Sequence, residues 1–449
     1  MIIQKPNNRK SIFYHHIHPN FLNSFYQSSI INCFPIAVWR LPGKSEKQAI
    51  IDLSGNYSKI NIDIAKIPKG FIISPFFNNK NKSTILIKAN LYLNNTFYTY
   101  LHEPDDLTFA QIIKNKLRFE HTLEKLLKTK ESDTIDNGPR YVRNWYTKET
   151  PKSANSQVIK NEFCHWVEKA KEQIKTDLMK KVVLSRTLEV DLKNDFNALT
   201  LFNKLCSAYP NAFVSLIAIP GIGSWIGATP ELLLSVTNHQ LSTVALAGTQ
   251  LVSSTTKLSS IKWVEKELKE QAFVSEFIRN CLLQQNITDI TEHGPETVQA
   301  GNLLHLQTKF KAQLSVDKHH DTINRILMDL HPTPAVCGVP KTEALDFILN
   351  LENHDREYYA GFLGPVNIDN QTHLYVNLRC MQMKTDTAIL YAGSGITIDS
   401  EPEKEWWETE LKLNILLNYI NNTSNKAQSK FLKISKTPEL DRVFWDEKV

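Results

Sequence analysis

Short apolar runs separated by Asn, Gly, Pro and Lys dominate the chain between residues 36 and 101, as in TILIKANLYL. Runs of this length bounded by turn-forming residues predict β-strands. A helical period follows over residues 107–128. Residues 131–156 are polar, contain both Pro and Gly and lack an apolar period, which predicts a long linker. The pattern therefore separates a β-rich N-terminal region, residues 1–130, which we expect to pack on the remainder.

Helices and long strands alternate after residue 156. Val167, Ala170 and Ile174 form one stripe of a predicted helix that leads into the strand KKVVLSRTLEVDL. The runs AFVSLIAIPG, SWIGATPELLLSV and QLSTVALAGT predict a meander of further strands. Long antiparallel strands with inserted helices indicate an α+β fold rather than a doubly wound α/β sheet.

The C-terminal half adds three more predicted helices, over residues 262–284, through EALDFILNLE and over residues 402–421. A hairpin is predicted through HLYVNLRCMQM and TAILYAGSGI. We therefore assign residues 157–422 to one catalytic region. Residues 423–449 are rich in Lys and Ser, which predicts a polar, partly ordered tail.

Composition narrows the class of protein. The 449 residues are 42% hydrophobic and 22% charged, and the net charge of +5 is spread along the chain. This distribution argues against nucleic acid as a partner, and no apolar run reaches the length of about 18 residues that a membrane helix needs. The six cysteines form no CxxC pair, which disfavours a disulfide framework and a zinc site. We expect a soluble, cytoplasmic protein with a small-molecule partner.

Two of the predicted helices carry glutamates on their apolar stripes. Glu267 and Glu270 lie on the stripe of the first, and Glu408 lies on that of the last. A buried carboxylate must meet a cation, a metal or hydrogen-bond donors, and two glutamates converging from separate helices would suit Mg²⁺. For either helix alone, a solvated glutamate at the helix edge is the commoner explanation, because most helical glutamates are exposed.

Other charged or flexible positions are ambiguous singly. In YVNLRC, alternation places Asn377 and Arg379 on one face of a predicted strand, where Arg379 is either a carboxylate clamp or a surface ion pair. The glycines of YAGSGI either approach an anion or form a bend. Lys181 could extend to solvent from the start of its strand, and Glu231 could be an edge charge.

Taken in order, nine motifs resemble those of the chorismate-utilising enzymes, and within that family the isochorismate synthases. These motifs are KVVLSR, GATPELLL, ALAGT, KEQAFV, HPTPAVCGVP, HDREYYAGFLG, YVNLRC, AGSGI and SEPEKEWWETELK. The resemblance spans residues 157–421. It implies an α+β unit of two stacked, largely antiparallel sheets surrounded by helices. It also implies an Mg²⁺-dependent reaction in which water adds at C2 of chorismate and the 4-hydroxyl leaves.

The resemblance assigns a role to each matching residue. Lys181 would be the general base and Glu231 the general acid, while Glu270 and Glu408 would hold Mg²⁺ with Glu357 assisting through water. The implied substrate-binding positions are Gly248, Thr249, Ala335, Arg379, Gly393 and Lys412. A lysine with a pKa of about 10.4 is protonated at neutral pH, so a base at position 181 must be partly buried. The acid needs a raised pKa.

Related activities are weighed by the same motifs. KVVLSR keeps the Lys that the ammonia-using anthranilate and aminodeoxychorismate synthases lack, so we expect no glutaminase subunit. HPTPAVCGVPK differs from the GTV sequence and Gly-Ala-Pro-Lys loop of the salicylate synthases, which favours isochorismate synthase. A bifunctional salicylate synthase is the alternative. Nothing decides between menaquinone and siderophore synthesis, and a monomer is expected because no apolar seam is evident.

Two departures from the family pattern leave a third hypothesis open. Gln271 follows Glu270 where the family usually has His, and Gln250 stands where a basic residue is common. The chain could therefore be a non-catalytic chorismate-binding paralogue. Glu267 is an alternative metal ligand to Glu270.

Overall fold

The structure is a computed structural model that describes most of the chain. The described residues are 12–14, 20–64, 66–78, 82–94, 97–101, 109–128, 156–193, 195–251, 261–300, 303–314 and 319–421. Apart from Ser156, the predicted linker lies outside them, and so does the predicted tail over residues 423–449.

Eight α-helices lie within these ranges. They are α1 (Phe21–Ile31), α2 (Phe109–Lys128), α3 (Ser156–Lys175), α4 (Ala198–Ala208), α5 (Glu265–Gln284), α6 (His319–Leu330), α7 (Lys341–Leu351) and α8 (Pro402–Asn421). The predictions are confirmed for α2, α3, α5, α7 and α8, whereas α1, α4 and α6 are not predicted by the pattern. Of these helices, none combines the length and apolarity that crossing a bilayer requires.

Twenty strands in the described ranges form two sheets. They are β1 (Ile12–Tyr14), β2 (Ile36–Arg40), β3 (Gln48–Ile51), β4 (Ser58–Ile60), β5 (Gly70–Ser74), β6 (Thr84–Lys88), β7 (Leu91–Asn94), β8 (Phe97–Tyr100), β9 (Lys181–Asp191), β10 (Phe213–Ile219), β11 (Gly223–Thr229), β12 (Leu232–Thr237), β13 (Gln240–Leu251), β14 (Ile290–Ala300), β15 (Leu303–Gln313), β16 (Gly338–Val339), β17 (Phe362–Val366), β18 (Gln371–Val376), β19 (Cys380–Met383) and β20 (Thr387–Ile396). The first sheet has the order β1-β8-β7-β3-β2-β10-β11-β19-β20-β9-β16, and the second has the order β14-β15-β13-β12-β18-β17-β5-β6-β4.

The two sheets are antiparallel and bury a shared core. Phe213 of the first sheet stacks on Tyr375 of the second with ring centroids 4.2 Å apart, and Trp39 of the first contacts Phe71 of the second. Helices α1, α2, α4 and α8 contribute to a second apolar cluster with the first sheet. The predicted α+β fold with two antiparallel sheets is confirmed.

Strands of the N-terminal region belong to both sheets. In the first sheet β2 pairs with β10, and in the second β5 pairs with β17. The β-rich region thus extends the sheets of the catalytic region, and its hydrogen bonds run directly into strands that follow residue 156.

The chain passes from one sheet to the other at two neighbouring points. Glu231 follows Pro230 between β11 in the first sheet and β12 in the second, and residues 377–379 connect β18 to β19 in the opposite direction. Backbone hydrogen bonds link these crossings, from the Val376 N–H to the Glu231 carbonyl (3.0 Å) and from the Ala228 N–H to the Arg379 carbonyl (3.1 Å).

Arg379 therefore does not lie in the middle of a strand, and that prediction is wrong. Its φ angle is +49°, a left-handed conformation that a non-glycine residue seldom adopts. The apolar–polar alternation of the sequence YVNLRC runs through the crossing without a break, and the residues on both sides of the crossing are buried. The sequence pattern consequently cannot reveal that the chain leaves one sheet and enters the other.

Candidate active site

A cleft of about 730 Å³, including its open mouth, lies beside the two crossings. Ten of the eleven predicted site residues line it: Lys181, Glu231, Gly248, Thr249, Glu270, Ala335, Arg379, Gly393, Glu408 and Lys412. They come from strands of both sheets, from α5 and α8, and from the loop before β16. Residues that are far apart in sequence thus share one concave site.

Glu357 is the predicted residue that the structure does not place at the cleft wall. It has a positive φ angle of 50°, and its carboxylate lies 3.2 Å from the Lys82 ammonium. This pairing directs Glu357 toward the N-terminal strands and gives no support for a role beside Glu270 and Glu408.

Lys181 begins β9 and is 2% exposed, which confirms that it is buried, whereas the preceding Lys180 is exposed. Gly395, on the adjacent strand β20, makes room for its side chain. A Cβ atom at Gly395 would lie 3.0 Å from both Lys181 Cε and Glu270 Oε1. The absence of that atom lets the buried amine and the carboxylate approach the same stretch of backbone.

Glu231 lies at the first crossing and is 4% exposed. Burial raises its pKa to about 7, even though Lys181, Arg379 and Lys412 each favour the ionised form. An ordinary glutamate would be fully ionised at neutral pH. This one retains its proton in a substantial fraction of molecules, as a general acid must.

His305 on β15 is a cleft residue that the sequence analysis missed. Its Nδ1 lies 2.7 Å from the Gly248 carbonyl, and its Nε2 lies 3.4 Å from an Arg379 nitrogen. Burial and the nearby Arg379 lower the pKa of His305 to about 3, so the ring is neutral. Nδ1 must then donate to Gly248, which leaves Nε2 to accept from Arg379.

Arg379 retains donor capacity for a ligand. Its Nη1 is buried and has no hydrogen-bond partner among the described residues. A buried guanidinium with an unused donor is a suitable partner for a carboxylate. His305 could have been suspected only as a polar residue within the apolar run LLHL.

A β-bulge turns Gly248 and Thr249 toward the cleft. The register of β13 against β15 shifts between Ala247 and Gln250. Gly248 has a φ angle of +71°, and a Cβ atom there would lie 3.0 Å from the ring of Trp263. A glycine is therefore required by both the backbone conformation and the close approach of the indole.

Lys412 ties α8 to β20 at the opposite wall. Its ammonium donates to the Gly393 carbonyl (2.8 Å) and to Glu408 Oε1 (2.6 Å). Tyr359 and Tyr391 stack with ring centroids 5.3 Å apart and complete this wall. Neither tyrosine is among the predicted site residues.

Four glutamates, two from each helix, form what we call the carboxylate cluster: Glu267 and Glu270 of α5, and Glu405 and Glu408 of α8. Burial raises the pKa of Glu405 to about 7. Burial also opposes ionisation of Glu408, but Lys412 and Lys266 outweigh it and lower the pKa of that carboxyl.

The carboxylate cluster has the donor chemistry that a hard divalent cation prefers. Glu267 Oε2 and Glu405 Oε2 are buried and lack hydrogen-bond partners in the described part of the chain. Within that same part, no three His, Cys, Asp or Glu side chains are arranged as ligands of a single ion. Lysine ammoniums instead pair with Glu405 and Glu408.

Gln271, one of the two departures from the family pattern, points away from the cleft. It is 3% exposed, and its amide donates to Thr308 Oγ1 (2.9 Å) and to the Ala245 carbonyl (3.3 Å). The side chain therefore anchors α5 on β13 and β15. The glutamine at this position therefore serves helix packing and is not part of the cleft lining.

Comparison with known proteins identifies the same region. Residues 48–421 match the family model described as "Chorismate binding enzyme". The vibriobactin-specific isochorismate synthase of Vibrio cholerae is 30% identical over 244 residues, which cover 53% of this chain and 61% of that protein. Isochorismate synthase EntC of Escherichia coli is 28% identical over 261 residues, covering 57% and 66% respectively. The chain thus spans just under two thirds of the length of these relatives.

A solved structure supports the fold. The menaquinone-specific isochorismate synthase MenF of Escherichia coli aligns with a TM-score of 0.71 at 21% identity. The alignment covers 92% of this chain and 94% of that one. The two sheets and their surrounding helices are therefore shared with that structure.

Proposed function

Because the chain belongs to the chorismate-binding enzyme family, we propose that it is an isochorismate synthase that converts chorismate to isochorismate by adding water at C2 with loss of the 4-hydroxyl. One observation carries the proposal. A buried lysine, Lys181, and a carboxylic acid with a raised pKa, Glu231, line the same cleft. The reaction needs a group that takes a proton from water and another that protonates the departing hydroxyl.

Two cleft residues perform the proton transfers in this proposal. The Lys181 amine takes a proton from the water that adds at C2, and the double bonds shift. Glu231 then gives its proton to the departing 4-hydroxyl, which leaves as water. The number of protons is balanced because each turnover removes one from water and supplies one to the leaving group. Lys181 and Glu231 return to their starting states by exchanging a proton.

The remaining polar residues bind and orient the substrate, which carries two carboxylates. Arg379 supplies its unused Nη1 donor, and Lys412 supplies an ammonium beside the Gly393 backbone. His305 fixes the orientation of Arg379 by accepting a hydrogen bond from it. Fixing both carboxylates orients the ring between Lys181 and Glu231.

Mg²⁺ is part of the proposal as a cofactor. Glu270 and Glu408 would hold it, with Glu267 and Glu405 beside them. When bound, the ion neutralises the ring carboxylate and fixes the pose of the substrate. Glu267 Oε2 and Glu405 Oε2, which are buried and lack hydrogen-bond partners among the described residues, support a cation in the cluster.

Product analysis tests the proposal directly. The purified protein is incubated with chorismate and Mg²⁺, and the products are separated by chromatography. We expect isochorismate. Salicylate and pyruvate without an added lyase would instead establish the bifunctional salicylate synthase, and tight binding of chorismate without turnover would establish the non-catalytic paralogue.

We predict that Glu408→Ala raises the Mg²⁺ concentration needed for half-maximal rate at least tenfold, because one of the two proposed carboxylate ligands is lost. Initial rates across an Mg²⁺ titration measure this change. Glu403→Ala is the matched control, since Glu403 lies on the same helix in an exposed ion pair with Lys160. An unchanged Mg²⁺ dependence in Glu408→Ala would remove this residue as a ligand.

A further inference from the structure

One lysine lies among the acids of the carboxylate cluster. The Lys266 ammonium is 2.5 Å from Glu405 Oε1 and bridges α5 to α8. Its partner is almost completely inaccessible, with 1% of the Glu405 side chain exposed. The Lys266 side chain is 24% exposed, so the pair is partly buried and water screens it less than it would a surface pair.

The influence of Lys266 extends beyond this pair. It attracts Glu270 and Glu408 as well as Glu405, and it favours the ionised form of Glu267. Burial alone would lower the pKa of Lys266, but the surrounding carboxylates reverse that effect and raise the pKa above its ordinary value. The ammonium is therefore in direct contact with Glu405 and interacts electrostatically with the other three acids.

We propose that Lys266 is a resident counter-cation of the carboxylate cluster, which stabilises the cluster without metal and weakens its binding of divalent cations. This inference rests on the proposed Mg²⁺ site and extends it. A proton that neutralises an acid can leave when a metal arrives, but an ammonium tethered to α5 remains nearby. Each divalent ion that binds must therefore tolerate a positive charge beside it. The proposed effect is an affinity tuned to allow release of the metal.

The test is a Mn²⁺ titration of the whole protein without substrate, at pH 8, followed by the electron paramagnetic resonance signal of free Mn²⁺. Mn²⁺ accepts the same oxygen ligands as Mg²⁺. We expect Lys266→Met to bind Mn²⁺ at least tenfold more tightly than the unmodified chain. Metal-free Lys266→Met should also melt at a lower temperature than the unmodified chain, because Glu405 loses its partner. Bound Mn²⁺ should raise the melting temperature of the variant back to that of the unmodified chain.

A neighbouring lysine provides the matched control. Lys269 lies one turn along α5, where its ion pair with Glu265 is exposed, with 56% and 81% of the two side chains accessible. Lys269→Met should leave Mn²⁺ affinity within twofold of the unmodified chain. Lys266→Gln is a second variant if Lys266→Met does not fold, as judged by circular dichroism, and the same tenfold gain is expected of it.

The outcomes separate this inference from the proposal beneath it. If the unmodified chain binds Mn²⁺ and the gain in affinity of the Lys266 variants is less than tenfold, or absent, the counter-cation role is overturned while the metal site stands. If neither the unmodified chain nor the variants bind Mn²⁺, both are overturned. If the variants bind Mn²⁺ at least tenfold more tightly than the unmodified chain, the role of Lys266 is supported, whatever the number of ions bound.

Discussion

Lys181→Ala is expected to lower the rate of isochorismate formation by about 10²–10⁴-fold, the usual contribution of a positioned general base. In the proposed mechanism the buried amine takes a proton from the attacking water. Lys412, the other lysine at the cleft wall, is paired with Glu408 and the Gly393 carbonyl. Steady-state rates with chromatographic detection measure the loss. Substrate affinity should change much less than the rate, because binding is assigned to other residues.

Lys180→Ala is the matched control for this variant. The two lysines are adjacent, but Lys180 is exposed and Lys181 is buried. Lys180→Ala should therefore keep the rate of the unmodified chain. Equal losses in both variants, or full activity in Lys181→Ala, would contradict the assignment of the base.

Glu231→Gln is expected to lower the rate by a similar factor of about 10²–10⁴, because the amide keeps the volume of the side chain but has no proton to give to the departing hydroxyl. With a pKa of about 7, the protonated fraction of Glu231 in the unmodified chain falls as the pH rises above 7. The rate of the unmodified chain should fall with it. Glu343→Gln, on the exposed side of α7, is the control. A fully active Glu231→Gln would exclude Glu231 as the acid.

Glu231→Gln should also increase the free energy of unfolding at high pH. Burial raises the pKa of Glu231 from an ordinary value of 4.5 to about 7. The folded state therefore favours the neutral side chain, and the stability that this gives is fully present below pH 4.5 and is lost as the pH rises through 7. Above that pH the ionised side chain costs up to about 3 kcal/mol of unfolding free energy. Gln carries no such cost. Denaturant unfolding at pH 8 should show Glu231→Gln to be the more stable protein, and the difference should vanish near pH 4.

The order of the motifs made both the fold and most of the cleft predictable. Glu270 and Glu408 could be identified without any relative, because each interrupts an apolar stripe and a buried acid needs a partner. Lys181 and Glu231 could not be assigned in this way. A lysine at the start of a strand and a glutamate after a proline are common on protein surfaces, so the resemblance had to supply their roles.

Other features depend on contacts that no local pattern records. His305 lies in the first part of β15, residues 303–306, where every residue is buried and alternation carries no information. Lys266 and Glu405 meet because the tertiary fold brings α5 and α8 to the same cleft. Glu357 is the opposite case, since its motif matches the family while its side chain pairs with Lys82 and does not line the cleft.

The paired crossings make the shape of the cleft depend on how the two layers are stacked. Glu231 is held between a strand of one layer and a strand of the other, and Arg379 is held in the same way at its side. A shift of one layer relative to the other would misalign Glu231 and Arg379 even with every side chain of the cleft present. The N-terminal strands β2 and β5 each add hydrogen-bonded strands to one of the layers, and we expect them to oppose such a shift although they lie outside the cleft. A fragment trimmed to the motif-bearing residues would keep every reacting group but expose the edges of β10 and β17, and it would lose the framework that holds those groups in line.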